Sequence, residues 1–212
     1  MFSTRMKLAL IAGTSAVALL AAGCSNSQEP SDATSTTSSA TMPGMDHGSM
    51  TSSSAQAATR TDFNDADVTF LQMMYPHHAQ AVDMAKLVPS RSQNQELITL
   101  AANVEKAQSP EMQQITTLLA AFGKPAPSAD MGGHHMDGMM TDQQMKDLAG
   151  MSGTAFDKMW MQMMIEHHKG AVTMAQTELA NGANADAKAM AQAIISGQQA
   201  EIDQMTRMLT QS

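Results

Sequence analysis

Apolar side chains recur at intervals of three and four residues along most of the chain after residue 61. This spacing places them on one face of an α-helix. No window of the sequence alternates apolar and polar residues with a period of two, as a half-buried strand would. The pattern therefore predicts an all-α protein. The first clear stripe consists of Phe70, Met73, Met74, His77, Ala81, Met84 and Val88.

The second half of the helical region repeats the first half without a gap. Each residue from Asp67 to Leu119 aligns with the residue 90 positions later, and many of the pairs are identical. A gapless match of this length indicates an internal duplication. Each copy contains two helical patterns joined by a short turn, VPSRSQ in the first copy and NGANAD in the second. Two antiparallel hairpins of this kind predict a four-helix bundle. Pro89 should follow the end of the first helix, and Ser90 or Ser92 should cap the second.

The composition divides the chain into five segments. Residues 1–23 have the features of a lipoprotein signal peptide, and residues 24–60 those of a disordered Ser/Thr-rich tether with a Met/His motif. Residues 61–123 form the first hairpin repeat and residues 153–212 the second. Between them, residues 124–152 are a Met/His-rich linker that can include a short helix over DQQMKDLAG.

Polar residues interrupt the apolar stripes at equivalent places in both copies. His77 lies in the middle of its stripe, and Gln108 and Glu111 lie within the stripe of the next helix. Their equivalents are His167, Gln198 and Glu201. A buried carboxylate is costly unless it is paired or bound to a metal ion. We therefore expect His77 to share a hydrogen bond or a metal ion with Glu111, and His167 with Glu201. A histidine–glutamate pair with a purely structural role is the alternative.

Two segments outside the predicted helices are rich in methionine and histidine. Their glycines and small polar residues give methionine side chains no core to fill, so packing does not explain them. Thioether sulfur prefers Cu(I), and imidazole accepts either copper state. Silver fits the same ligands, whereas zinc favours Cys and His sets that are absent here. An inert tether is the alternative. The candidate ligands are Met42, Met45, His47 and Met50 in the first segment, and Met131, His134, His135, Met136, Met139 and Met140 in the second.

The N-terminus indicates export. A positive start is followed by a short apolar run that ends in LLAAGC, where Cys24 is the only cysteine of the chain. This pattern resembles a bacterial lipobox, which implies cleavage before Cys24 and a lipid on its sulfur. The alternative is a signal peptide cut elsewhere, with a free thiol. The formal net charge of −8 argues against nucleic acid as a partner, and against binding to anionic lipid through a basic face.

The paired MMxxHHxxAVxMA segments, each followed by a helix with QxxExxQ, resemble the bacterial domain-of-unknown-function 305 (DUF305) family. The resemblance covers residues 62–209. It implies a ferritin-like four-helix bundle, and it implies copper binding, because the family includes CopM-type extracytoplasmic copper-binding proteins. The candidate ligands carried over to the first copy are Met73, Met74, His77, His78, Met84 and Glu111. Those carried over to the second copy are Met163, Met164, His167, His168, Met174 and Glu201.

These observations favour a non-catalytic lipoprotein that sequesters, buffers or transfers copper, chiefly Cu(I), at the outer face of the cell membrane. A copper-handling protein could act as its partner. Two other functions stay open: an interaction module with structural His/Glu pairs, and a ferritin-like di-metal oxidase. The oxidase is disfavoured because such sites need Glu-x-x-His on two helices. The residues three positions before the histidines are Met74, Tyr75, Met164 and Ile165.

Overall fold

The computed structural model describes residues 59–129 and 136–211. Within these residues the secondary structure is helical, which confirms the predicted all-α class. The helices are α1 (Asp65–Arg91), α2 (Gln95–Ala121), α3 (Asp142–Ala149), α4 (Gly153–Asn181) and α5 (Ala185–Gln211). Among these helices, none is long and apolar enough to span a bilayer.

Asparagine and threonine side chains fix the starts of three helices. Asn64 accepts hydrogen bonds from the backbone N–H groups of Ala66 and Asp67 at the start of α1, and the Asp67 carboxylate accepts one from the backbone N–H of Asn64. Asn94 caps α2, and Thr141 caps the short α3 within the linker. The predicted turn after α1 was wrong in detail. The helix continues through Pro89 to Arg91, and neither serine caps α2.

The four long helices form two antiparallel hairpins, α1/α2 and α4/α5, and α1 packs along α4 as the main contact between them. Helices α1 and α4 run in opposite directions. The Asn64 side chain at the start of α1 donates to the carbonyl of Asn181 at the end of α4, at 2.9 Å. Trp160, near the start of α4, donates from Nε1 to the carbonyl of Met84, near the end of α1, also at 2.9 Å. The predicted four-helix arrangement of two duplicated hairpins is thus present.

The apolar core is divided into two clusters. The cluster around Trp160 joins the end of α1 and the start of α4 and includes Phe156, Leu97 and Leu148. The cluster around Phe70 lies at the opposite end of α1 and includes Ile115 and Leu119. Four histidines of α1 and α4 lie in the sequence between the parts of these helices that form the two clusters. The bundle therefore has apolar ends and a polar middle layer.

The linker is held against the bundle at two equivalent positions of the repeat. On α1, the amide of Gln80 accepts a hydrogen bond from the backbone N–H of Met140 at 2.7 Å and donates to its carbonyl at 2.8 Å. The equivalent residue on α4 is Gly170. There the backbone of Asp137 and Gly138 approaches so closely that a Cβ on Gly170 would meet the carbonyl of Asp137. The linker is thus held by side-chain hydrogen bonds on the first copy, and on the second copy it packs closely against a position that has no side chain.

We predict that Gly170→Ala destabilises the protein by about 1–3 kcal/mol, because the new methyl group forces the linker backbone away from α4. Gly197→Ala is the matched control, since a Cβ there meets nothing within 4 Å. It should be neutral or stabilise the protein by up to about 1 kcal/mol, because alanine favours a helix. Urea unfolding of both variants measures the difference, and equal effects would contradict the close approach of the linker.

Candidate metal centre

The two hairpins meet at a pair of histidines. His77 of α1 and His167 of α4 occupy equivalent positions of the repeat, and their ring centroids are 3.8 Å apart at an angle of 41°. Both side chains are fully buried. Because the two helices are antiparallel and the two residues are equivalent, the pseudo-two-fold axis passes between these rings. The prediction that His77 lies in the middle of a buried face is correct.

The ring nitrogens of this central pair have no hydrogen-bond partner among the described residues. Burial lowers the pKa of His77 to about 3, with smaller contributions from the nearby His78 and His168. Burial also lowers the pKa of His167 well below its usual value. The backbone of Asp137 lies near His77 and opposes this shift slightly, without a hydrogen bond of normal geometry. Both rings are therefore neutral at physiological pH and have a lone pair available.

The glutamates pair with the other histidine of each HH motif. Nε2 of His78 lies 2.7 Å from Oε2 of Glu111, and Nε2 of His168 lies 2.6 Å from Oε2 of Glu201. The expected hydrogen bonds of His77 with Glu111 and of His167 with Glu201 are therefore wrong. Helical periodicity correctly located the centre of each stripe, but that centre faces the other hairpin. The shoulder of the stripe, where His78 and His168 lie, faces the partner helix.

The two glutamates are also less buried than their sequence pattern predicts. The Glu111 side chain is 25% exposed and that of Glu201 is 19% exposed. Each carboxyl group therefore lies at the edge of the layer, within hydrogen-bond distance of one imidazole nitrogen. Nδ1 of His78 and Nδ1 of His168 have no hydrogen-bond partner among the described residues. A carboxylate that orients a histidine through its N–H is the usual outer-shell arrangement of histidine metal ligands.

Two glutamines complete the polar layer. Gln108 of α2 and Gln198 of α5 are buried, at 2% and 4% exposure. Both amide atoms of Gln108 and the amide oxygen of Gln198 lack hydrogen-bond partners among the described residues. An unpartnered buried polar group costs about 1–3 kcal/mol. The layer thus contains more unpaired donors and acceptors than a stable apolar core would, which is the condition expected of a binding site.

The methionines of the repeats fall into two groups. Met74, Met84, Met163 and Met164 belong to the apolar clusters and are 7% exposed or less. Met73 and Met174 are half-buried and line a cavity between α1, α4 and the linker. The two copies therefore differ, since the equivalents of Met73 and Met174 are the core residues Met163 and Met84.

The linker methionines within the described residues are packed against the bundle. Met136 is 4% exposed, and Met140 is half-buried against the Trp160 cluster. The expectation that this segment has no core to fill was wrong for these two residues, because the Gly138–Gly170 approach and the Gln80 hydrogen bonds bring the segment onto α1 and α4. Met139 is half-buried. The remaining predicted residues lie outside the described residues: Cys24, Met42, Met45, His47, Met50, Met131, His134 and His135.

A second polar feature, which the apolar pattern did not predict, is the contact of two carboxyl groups, Asp67 at the start of α1 and Glu178 at the end of α4. Asp67 accepts hydrogen bonds from the backbone N–H groups of Asn64, Ala183 and Asn184. Burial alone would raise the pKa of Asp67, but these N–H donors hold it below its usual value. Glu178 is 1% exposed, and burial, followed by the proximity of Asp67, raises its pKa to about 8. The repeat carried a signal for this residue, because Glu178 aligns with the core residue Val88.

Among the described residues, no group of three or more His, Cys, Asp or Glu is arranged to hold a metal ion. The donors that the structure does bring together are imidazoles and amides in the central layer and, separately, the thioethers of Met73, Met136 and Met174 at the cavity. His77 and His167 touch at the axis, and His78 and His168 have glutamates on their outer nitrogens. This chemistry can bind a metal ion that accepts nitrogen and sulfur ligands.

The fold and this layer define a class of all-α proteins in which a duplicated hairpin encloses a centre of histidines and glutamines. The chain belongs to the family described as Domain of unknown function (DUF305), whose model matches residues 67–209. This confirms the resemblance found in the sequence. No curated protein sequence matches the chain significantly.

Several solved structures share the fold. A DUF305 fragment from Deinococcus radiodurans has 29% identity and a TM-score of 0.65, with 70% of this chain and 98% of that chain covered. A candidate secreted DUF305 protein from Streptomyces coelicolor has 31% identity and a TM-score of 0.64, with 69% and 93% covered. CopM in its Cu(II)-bound form has 32% identity and a TM-score of 0.60, with 68% and 96% covered. CopM is also known in Cu(I)-bound and Ag-bound forms.

We predict that the metal-free protein loses stability as the pH falls from about 6.5 towards 3. In this window the unfolded chain protonates His77 and His167, whose pKa values are lowered in the folded state. The unfolded state then binds more protons, so the free energy of unfolding rises with pH. Urea unfolding at several pH values measures the slope. The double variant His77→Leu/His167→Leu should lose part of it and Met159→Leu should keep it; equal slopes in all three proteins would contradict the assignment.

Proposed function

We propose that the protein is an exported copper-binding protein that sequesters, buffers or transfers copper and catalyses no reaction. The observation that carries this proposal is the set of unpartnered ring nitrogens of His77, His78, His167 and His168 in the middle of the bundle. Neutral imidazoles with free lone pairs are ligands for copper. A structural role would leave such groups hydrogen-bonded instead.

The similarity to CopM supports copper as the ion. CopM shares 32% identity and the fold over most of its length, and it is known with Cu(II), Cu(I) and silver. The thioethers of this chain favour Cu(I), because soft sulfur ligands prefer the monovalent ion. Silver(I) should bind for the same reason. The Met/His segments at residues 42–50 and 131–140 would collect the ion, and the bundle would hold it more tightly.

A di-metal oxidase is a poorer fit. Neither His-containing helix carries a Glu-x-x-His motif, and the two glutamates nearest to the histidines, Glu111 and Glu201, each bond one imidazole. A purely structural role has one observation in its favour, since His78–Glu111 and His168–Glu201 are well-formed hydrogen bonds. It leaves the central pair, His77 and His167, unexplained.

We predict that His77→Leu/His167→Leu binds copper with lower affinity or stoichiometry while the metal-free protein keeps its stability at neutral pH. Removing unpartnered buried polar groups in favour of an apolar side chain is close to neutral or stabilising. Competition of the protein with a chromophoric Cu(I) chelator measures binding, and urea unfolding measures stability. Met159→Leu, at an exposed methionine, is the control. Unchanged copper binding together with lost stability would favour the structural role.

The export and lipid anchor are proposed on the sequence alone. The apolar N-terminal run is followed directly by Cys24, the one cysteine of the chain, and the similar Streptomyces coelicolor protein is a candidate secreted protein. A lipid on Cys24 would hold the bundle at the outer face of the membrane through the segment at residues 24–60.

We predict that Cys24→Ala moves the protein from the membrane fraction to the soluble fraction or leaves the leader uncleaved. Lipid attachment requires the cysteine sulfur, so the variant loses its anchor, whereas Ser25→Ala keeps it. Fractionation of the producing cells and mass measurement of the mature N-terminus decide the matter. Membrane fractionation of Cys24→Ala with normal processing would show that the anchor lies elsewhere.

A further inference from the structure

A cavity of about 550 Å³ lies between α1, α4 and the middle of the linker, and three thioethers line it. Met73 comes from the first copy of the repeat, Met174 from the second and Met136 from the linker. The sequence places these residues in three separate groups of candidate ligands. The fold brings them to one cavity, because α1 and α4 are antiparallel neighbours and the linker is held over α4 at Gly170.

Glu178 lines the same cavity and is 1% exposed. Among the described residues, no N–H or O–H group donates to either of its carboxyl oxygens. Its polar neighbour is the carboxyl of Asp67, which the Asn64, Ala183 and Asn184 backbone already supplies with donors. The two carboxyl groups can share a hydrogen bond only if one of them carries a proton. Lys188 of α5 donates a hydrogen bond to the Gly182 carbonyl, and its charge only partly offsets the raised pKa of Glu178.

A buried carboxyl without a donor is satisfied in one of two ways, by a proton or by a cation. The raised pKa of Glu178 is consistent with a proton on this carboxyl group in the metal-free protein. The residues that line the cavity would also allow a cation to bind there. Asp65 and Asp137 lie at its walls as further acidic residues, and within the described chain no Lys or Arg lines it. Three thioethers with one carboxylate form a donor set for a soft monovalent cation.

We propose that Met73, Met136, Met174 and Glu178 form a separate binding site for a soft monovalent cation, Cu(I) or Ag(I), in this cavity. The site rests on the proposed function and adds a second position to it, apart from the histidine layer. It combines both copies of the repeat with the linker, so it assembles only when the linker is seated on the bundle.

Within residues 59–129 and 136–211, the equivalent positions of the other copy do not form such a site. The equivalents of Met73 and Met174 are Met163 and Met84, which are packed in the Trp160 cluster at 7% and 0% exposure. The equivalent of Glu178 is Val88, which is fully buried in the same cluster. The two ends of the bundle therefore differ, because one has the cavity and the carboxyl group while the other has an apolar core.

Methionine methyl NMR tests the site directly. The full mature chain, labelled with ¹³C at the methionine methyl groups, is titrated with Ag(I), which binds thioethers without a change of oxidation state. The methyl signals of Met73, Met136 and Met174, assigned from single Met→Leu variants, should shift together. The signal of the exposed Met159 should stay in place. Metal binding without a shift of the three methyl signals overturns the proposal.

The same titration in His77→Leu/His167→Leu separates the two sites. The three methyl signals should still shift, because the cavity does not include the histidines. If the wild-type chain binds neither Ag(I) nor Cu(I), the proposed function fails together with this site. If it binds metal and the shifts vanish in the histidine variant, the methionines report on the histidine layer and the separate site is overturned.

Glu178→Gln tests the carboxylate. Glutamine keeps the size of the side chain and can donate to Asp67, so the fold should be retained. Loss of a ligand charge should weaken Ag(I) binding at the three methionines by about 10-fold or more. Glu105→Gln, at an exposed carboxylate of α2, is the matched control and should leave the affinity unchanged. Equal affinities in the two variants would overturn the assignment of Glu178.

Discussion

The contact between the rings of His77 and His167 is the point at which the two hairpins meet, and the polar layer is arranged around it. It lies on the pseudo-two-fold axis, so it fixes how α1 crosses α4 and how the two hairpins face each other. Two protonated rings at this distance would repel each other in a medium that screens charge poorly. The lowered pKa of both residues keeps them neutral. The rings can then pack as aromatic side chains, and their nitrogens still retain lone pairs.

Departures from symmetry give the protein features that neither copy has alone. Gln80 and Gly170 are equivalent positions, and the linker binds one through its amide and the other through backbone contact. Glu178 is equivalent to Val88 of the other copy, and it lies close to Asp67 where α1 begins and α4 ends. A strictly symmetric dimer of hairpins would have neither the seated linker nor this carboxyl pair. The duplication therefore gives the four-helix fold, and the differences between the two copies give sites that are present at only one end of the bundle.

The helical period of the sequence was sufficient for the fold and for the burial of His77. It could not assign partners, because the pattern of one helix gives the direction of a side chain but not which helix lies there. The pattern therefore placed His78 at the shoulder of the stripe but did not show that this shoulder faces Glu111, to which His78 is bonded. The burial of Met136 was beyond prediction for another reason. The glycine-rich composition around it is typical of a free segment, and only the backbone approach at Gly170 shows that it packs.

The polar layer also has an energetic consequence. Unpartnered nitrogens and amides in the middle of the bundle lower the stability of the metal-free fold, whereas Glu111 and Glu201 hold the outer rings in place from the edge of the layer. A ligand that binds only the folded state stabilises it in proportion to the logarithm of its concentration over Kd. The groups that weaken the empty bundle are thus the same groups through which a bound ion would strengthen it. Metal occupancy and folding stability should therefore be coupled through the layer, with the apolar clusters at both ends keeping the hairpins together in either state.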